Sequence, residues 1–219
     1  MTKTKLIDTL QRNPDLLDEN HLDETYAEDF IEDLAITANE NVQAAYGASK
    51  MVVFIQDEDG NDENEVVKIP FHYYCGSPFE YGDGENCDDY IRHEQTIYED
   101  AKDWGLEQFF APNKKIAQIG CTSIYTQEKC YEIYSTKGTE FFPKDCTKEE
   151  RVLANSIGED RLNIEWWISV IRNYGVKLAS LLSEYIDANI TDLHFENFGF
   201  SQDGKPIIFD YAGFDEESY

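Results

Sequence analysis

The spacing of apolar residues changes several times along the chain, and each change marks an element. Residues 5–35 carry Leu6, Leu10, Leu17, Phe30, Ile31 and Leu34 amid many acids. This reads as helix, with Pro14 ending a first helix or opening a second. Met51–Gln56 is rich in β-forming residues, and Glu65–Phe71 resumes the pattern after the polar stretch Asp57–Asn64. Two such runs around an Asp-Gly-Asn turn predict a β-hairpin with a longer loop. Gly76, Pro78, Gly82 and Gly84 make residues 74–88 a loop. A helix is expected from Asp88 to Trp104, with Gly105 as its cap. Ile116–Gly120 and Cys130–Tyr134 are two short strand-like runs. Trp167, Val170, Ile171, Tyr174, Leu178, Leu181, Leu182 and Tyr185 then recur at steps of three and four, which predicts one long helix packed on a core. One of Trp166 and Trp167 is expected to be buried. The last pattern is a second hairpin, with a turn at Asp203-Gly204-Lys205-Pro206 and a strand Ile207-Ile208-Phe209 running into Asp210. The order helix, hairpin, helix, strands, long helix, hairpin predicts an α+β fold.

Composition adds limits. The 219 residues suffice for one substantial core or for two lobes. With 41% hydrophobic and 14% aromatic residues, a folded protein is expected rather than a disordered one. No run approaches the length of a membrane span, and residues 1–5 are followed by polar and acidic residues rather than by the apolar segment of a secretory signal. A soluble, cytoplasmic protein with no membrane partner is expected. Five cysteines, scattered and odd in number, are expected to be mostly free thiols. The net charge of −27, from 45 acids against 18 bases, repels nucleic-acid phosphates and attracts basic protein surfaces. Direct nucleic-acid binding is therefore not expected. Solubility alone accounts for such a charge. A surface that imitates nucleic acid for a basic partner is the sharper alternative.

The candidate chemistry lies near the end of the chain. Asp192 and Asn197 stand in Asp-Leu-His-Phe-Glu-Asn, and Asp210 follows an apolar strand soon after. Phosphoryl transfer from ATP needs a carboxylate beside the acceptor hydroxyl and oxygen ligands for magnesium. A loop supplying Asp192 and Asn197, next to a hairpin presenting Asp210, would supply those groups.

Asp192–Asn197 resembles the catalytic loop of protein-kinase-like enzymes. Its Asp-Leu-His form is similar to that of aminoglycoside phosphotransferases and small phage-encoded kinase-like proteins. Phe209-Asp210-Tyr211-Ala212-Gly213 resembles the metal-binding Asp-Phe-Gly segment. Val66-Val67-Lys68 resembles the Val-Ala-Ile-Lys strand, whose lysine contacts the α- and β-phosphates. Glu94 matches the helix glutamate that pairs with that lysine, with Glu99 as a substitute. Ala45–Val52, containing Gly47 and Ser49, sits where the phosphate-covering glycine loop belongs. The likeness spans residues 36–214. It implies a bilobal fold: an acidic helical segment (1–35), an N-lobe-like antiparallel sheet with a helix (36–135), and a reduced helical C-lobe (136–219). It also implies ATP and Mg2+ as cofactors. Lys68, Glu94 and Asp192 would be catalytic, Asn197 and Asp210 would hold the metal, and Gly47, Ser49, Lys68 and His194 would face the nucleotide.

The chain departs from the pattern in places. Ile190-Thr191 replaces the His-Arg pair before the catalytic Asp, and the glycine loop has one glycine. Residues 211–219 contain no Ala-Pro-Glu motif. Two functions therefore stand side by side. One is a phosphotransferase acting on an acceptor that is not an ordinary kinase substrate. The other is an acidic pseudokinase-like protein that binds a basic host or defence protein. A plain acidic α+β interaction domain with chance motif matches is a third. His72, Cys75, Cys87 and His93 form a ligand set that zinc would accept, with ordinary loop residues as the alternative. His194 either orients Asp192, touches a phosphate, or bonds the loop backbone.

Overall fold

The computed structural model describes residues 1–18, 22, 24–47, 49–71, 88–158, 164–190 and 193–211; the side chains of residues 88 and 89 lie outside it. Asp192, His72, Cys75 and Cys87 also lie outside the described residues. The fold is α+β, with a five-stranded antiparallel sheet and a smaller three-stranded antiparallel sheet. Two compact units divide the chain: Met1–Arg92 with Asn113–Glu128, and His93–Pro112 with Lys129–Tyr219. The divisions fall at 92/93, 112/113 and 128/129.

The first unit begins with α1 (Lys3–Arg12) and α2 (Ala27–Ala38). Thr2 caps α1 by accepting a hydrogen bond from the Lys5 amide at 3.2 Å. A short 3-10 turn at Pro14–Leu17 separates the helices, as Pro14 predicts. The strands follow: β1 (Gln43–Tyr46), β2 (Lys50–Gln56), β3 (Asp62–Pro70), β4 (Lys114–Ile119) and β5 (Thr122–Glu128). Their order across the sheet is β1-β2-β3-β5-β4. Met51, Val53, Ile55, Val67, Ile69 and Ile124 point to one face and join Leu6, Leu10, Phe30 and Leu34 of the helices in one buried cluster. The acidic N-terminal helices are thus part of this unit's core. The polar tip of the β2–β3 hairpin is organised by Asp57, whose carboxylate accepts from the Asp59 and Asn61 amides.

β5 was not expected as a strand. Its sequence Thr-Ser-Ile-Tyr-Thr-Gln-Glu hides its role, because Thr122, Ser123, Thr126 and Gln127 are all buried. Sandwiched between β3 and β4, its backbone pairs on both edges, and position in the sheet outweighs side-chain polarity.

Helix α3 (Asp88–Asp103) matches the expected helix. Gly105 follows it at φ 68°, and the Leu106 amide bonds the Ala101 carbonyl at 2.8 Å, a left-handed helix stop. The second unit holds α4 (Thr136–Glu140), α5 (Lys148–Gly158), α6 (Ile164–Tyr174) and α7 (Val176–Asn189). It also holds β6 (Tyr131–Glu132), β7 (Phe198–Phe200) and β8 (Pro206–Ile208), in sheet order β6-β7-β8. The single long helix is corrected to two. Gly175, at φ 87°, ends α6 and starts α7, a conformation only glycine takes without strain. Both Trp166 and Trp167 are buried, edge to face at 5.2 Å. Trp166 packs on Phe198 at 4.9 Å, and its indole N–H donates to the Gly199 carbonyl at 2.9 Å. Cys121 and Cys146 are free thiols. Among the described residues, no helix is long and apolar enough to cross a membrane.

Candidate functional site

The β7–β8 hairpin is the frame of the candidate site in the second unit. Phe198 pairs with Ile208, so Asn197 falls opposite Phe209. The Phe209 amide donates to the Asn197 carbonyl at 2.9 Å and extends the ladder one step. Asn197 and Asp210 therefore stand at the same end of one hairpin. Just before β7, residues Phe195–Asn197 form a 3-10 turn. The His194 amide donates to Asn197 Oδ1 at 2.8 Å, and the Asn197 amide donates to the His194 carbonyl at 3.0 Å. Asn197 is 3% exposed, so both its backbone and its side chain are held in place. An amide oxygen that accepts one hydrogen bond keeps a second lone pair for another ligand.

Asp210 is half-buried with φ 72°, in the left-handed region. Its neighbours explain the conformation. Before it, Phe209 is bonded to Asn197. After it, the Tyr211 amide donates to Glu94 Oε1 at 3.2 Å. With both flanking amides anchored, the chain turns within Asp210. A non-glycine residue in this region costs of order 1 kcal/mol or more and persists only where its surroundings over-determine it. Such residues cluster at functional sites.

Glu94 is fully buried on α3 and holds Tyr211 in place. Tyr211 is itself fully buried, donates its hydroxyl to the Ala111 carbonyl at 3.0 Å and meets Phe110 at 5.0 Å. Burial pushes its phenol well above the usual tyrosine range, and the Glu94 carboxylate adds to that. Tyr211 is the site residue the sequence reading passed over. Its place directly after Asp210 was the available signal.

His194 engages the loop through its backbone. Its imidazole is half exposed, with Nδ1 3.8 Å from Glu196 Oε2. Glu196 faces solvent. His93 is half-buried on α3, and the other three residues of the candidate zinc set lie outside the described residues. Among the described residues, no group of three or more His, Cys, Asp or Glu could hold a metal ion.

In the first unit, Lys68 lies on β3, the central strand, paired with Val52 of β2 on one side and Tyr125 of β5 on the other. It is 3% exposed. Gly47 and Ser49 form the turn between β1 and β2, which the Gly47 amide closes by donating to the Lys50 carbonyl at 3.1 Å. Nothing lies within 4 Å of the place a Gly47 Cβ would take. The Ser49 carbonyl accepts from the Phe71 amide at 2.9 Å.

The donor set fits magnesium in kind. One carboxylate and one amide oxygen are hard ligands, and magnesium completes its shell with phosphate oxygens and water rather than with an all-protein cage. A site of this type need not contain three acidic side chains. No family model, no curated protein and no solved structure matches the chain.

Proposed function

We propose that the chain is a protein-kinase-like phosphotransferase that uses Mg-ATP. The observation that carries this reading is the β7–β8 hairpin. It seats a buried, doubly bonded Asn197 beside an Asp210 held in a strained conformation. Two independent features support it. Lys68 is a buried cation on the third strand of an antiparallel sheet, and a helix bearing a buried Glu94 follows that strand. The β1–β2 turn with Gly47 precedes them, in the order in which this class arranges a phosphate-covering loop.

In this reading Lys68, by its resemblance, would contact the α- and β-phosphates. Asn197 and Asp210 would hold magnesium, which would neutralise charge on the phosphates. Glu94 fixes the backbone after Asp210 and so sets where that carboxylate points. Asp192, by its resemblance, orients the acceptor hydroxyl and takes its proton. The gain in rate comes from positioning and from charge neutralisation.

Titration of a fluorescent ATP analogue, with and without Mg2+, tests the reading. The account expects saturable, magnesium-dependent binding, weakened about ten-fold or more by Lys68→Met and by Asn197→Ala, since a charge-assisted contact is lost in each. Absence of saturable binding at millimolar nucleotide would overturn it. The −27 charge and a basic protein partner would then be the better account.

A further inference from the structure

We propose that the outer edge of β1 is a docking strand for an extended basic segment of a partner protein, which adds to the five-stranded sheet beside it. The inference is independent of the nucleotide reading.

Strand β1 is one edge of the sheet and β4 is the other. A sheet edge presents backbone N–H and C=O groups that invite another strand, and proteins blunt it with lysines, proline or a bulge. Edge β4 has such devices. It carries Lys114 and Lys115, both exposed, and its register to β5 shifts between Lys115 and Ala117. Edge β1 has none of them. Its sequence is Gln43-Ala44-Ala45-Tyr46, with no charge and no proline, and its register to β2 runs unbroken. Only its shortness protects it.

The direction of its backbone groups follows from the ladder. The Gly47 amide donates to the Lys50 carbonyl, so Gly47 and Lys50 form a hydrogen-bonded pair. Such pairs alternate with non-bonded ones along an antiparallel ladder. Gln43 and Ala45 therefore bond to β2 opposite Phe54 and Val52, and Ala44 and Tyr46 turn their N–H and C=O groups outward. Among the described residues, no hydrogen bond reaches these four outward groups.

What lies along this edge selects the occupant. Helix α2 packs beside β1, and the Tyr46 hydroxyl donates to Glu28 Oε1 at 3.4 Å. That carboxylate, with Glu24, holds the Tyr46 phenol above its usual range, the mark of a negative local field. Glu28, Glu32 and Ile36 recur every four residues and so share one stripe of α2. All three are exposed, Ile36 at 68%. Ile36 also lines an open surface depression with Glu40 and Asn41, just before β1. The stripe thus runs from the Tyr46 end of the strand towards its Gln43 end. A second copy of this chain is a poor occupant, since each copy carries a net charge of −27 and like fields repel. An extended segment with lysine or arginine at alternate positions meets both demands. Its backbone continues the sheet, and its cations face the carboxylates of α2.

Amide hydrogen exchange of the full chain, read by NMR with and without a short peptide that alternates lysine with valine, tests this. We expect the Ala45 amide to be protected already in the free chain. The Ala44 and Tyr46 amides should exchange fast there and slow about ten-fold or more at saturating peptide. The same peptide with N-methyl groups on the amides that face β1 should bind about ten-fold or more weakly, because those hydrogen bonds are lost. Glu28→Lys should weaken the unmethylated peptide several-fold, and a peptide alternating glutamate with valine should not bind. Equal binding of the methylated and unmethylated peptides overturns edge pairing and leaves only attraction to an acidic surface. Equal binding of the glutamate peptide overturns the choice of a basic occupant. A concentration-dependent dimer of the free chain that protects the same two amides makes a second copy the occupant and overturns the proposal, as does unchanged exchange at Ala44 and Tyr46 in millimolar lysine peptide. The peptide comparisons use wild type, so they hold even if Glu28→Lys fails to fold. None of these outcomes bears on Mg-ATP affinity, so the two readings fail separately.

Discussion

Gly199→Ala tests whether the β6–β7–β8 frame sets the candidate site. A Cβ at this position would lie 2.3 Å from the Tyr131 carbonyl oxygen, 2.9 Å from the Tyr131 carbonyl carbon and 2.8 Å from Phe209 Cε1. Two of those three atoms are backbone, so no rotamer change relieves the clash, and β6 and β7 must separate. Overpacking of this kind costs about 1–3 kcal/mol. The Trp166 indole bond to the Gly199 carbonyl is strained by the same movement, at a cost of about 1 kcal/mol. The sum is about 2–4 kcal/mol, which for a chain of this size lowers the thermal midpoint by about 5–15 °C. The clash also reaches Phe209, the residue before Asp210, so Mg-nucleotide affinity should fall together with stability. Gly47→Ala is the control. Its Cβ would meet nothing within 4 Å, and its stability should stay within about 0.5 kcal/mol of wild type. Scanning calorimetry with a parallel nucleotide titration reads both effects. A midpoint within about 1 °C of wild type for Gly199→Ala would refute the packing argument.

Two further outcomes follow from the geometry. Glu94→Ala leaves the buried Tyr211 amide without its acceptor and should cost about 1–3 kcal/mol in urea denaturation, whereas Glu94→Gln keeps an amide oxygen there and should retain most of the stability; equal losses would argue against the Glu94–Tyr211 contact. Glu150 is bonded by Arg172, which lowers its carboxyl from 4.5 to about 2 in the folded chain. A depressed folded value means that its contribution to stability is present above about pH 4.5 and is lost as pH falls towards 2. Comparison of Glu150→Gln with wild type across that window should show the two curves converging at low pH. The gap is expected to be small and to shrink with salt, because the pair is exposed.

Much of the fold was legible because its signals are local. Pro14 between two helical runs, the polar stretch 57–64 between two β-rich runs and Gly105 after α3 each act through backbone chemistry within a few residues. What escaped depends on tertiary context. The α6–α7 break was masked because the apolar stripe from Trp167 to Tyr185 keeps its three–four rhythm across Gly175, and only the left-handed conformation of that glycine reveals the stop. Strand β5 was hidden by buried threonine, serine and glutamine, and α4, only five residues long, is too short to show a stripe. The candidate site divides in the same way. The placement of Asn197 and Asp210 at one end of a single hairpin was readable from the turn at Asp203–Pro206 between two apolar runs. The contact between Glu94 and the Tyr211 amide joins residues distant in sequence and has no local signature.

The central claim is most directly tested by the thermal midpoint of wild type and Asp210→Gly, each with and without Mg-ATP. Glycine accepts φ 72° without strain, so the variant removes the carboxylate and keeps the backbone. The account predicts that Mg-ATP at about a hundred times its dissociation constant stabilises wild type by about 2.7 kcal/mol, a rise of about 5–10 °C, and leaves Asp210→Gly unmoved. No rise in wild type, or an equal rise in both proteins, would contradict it.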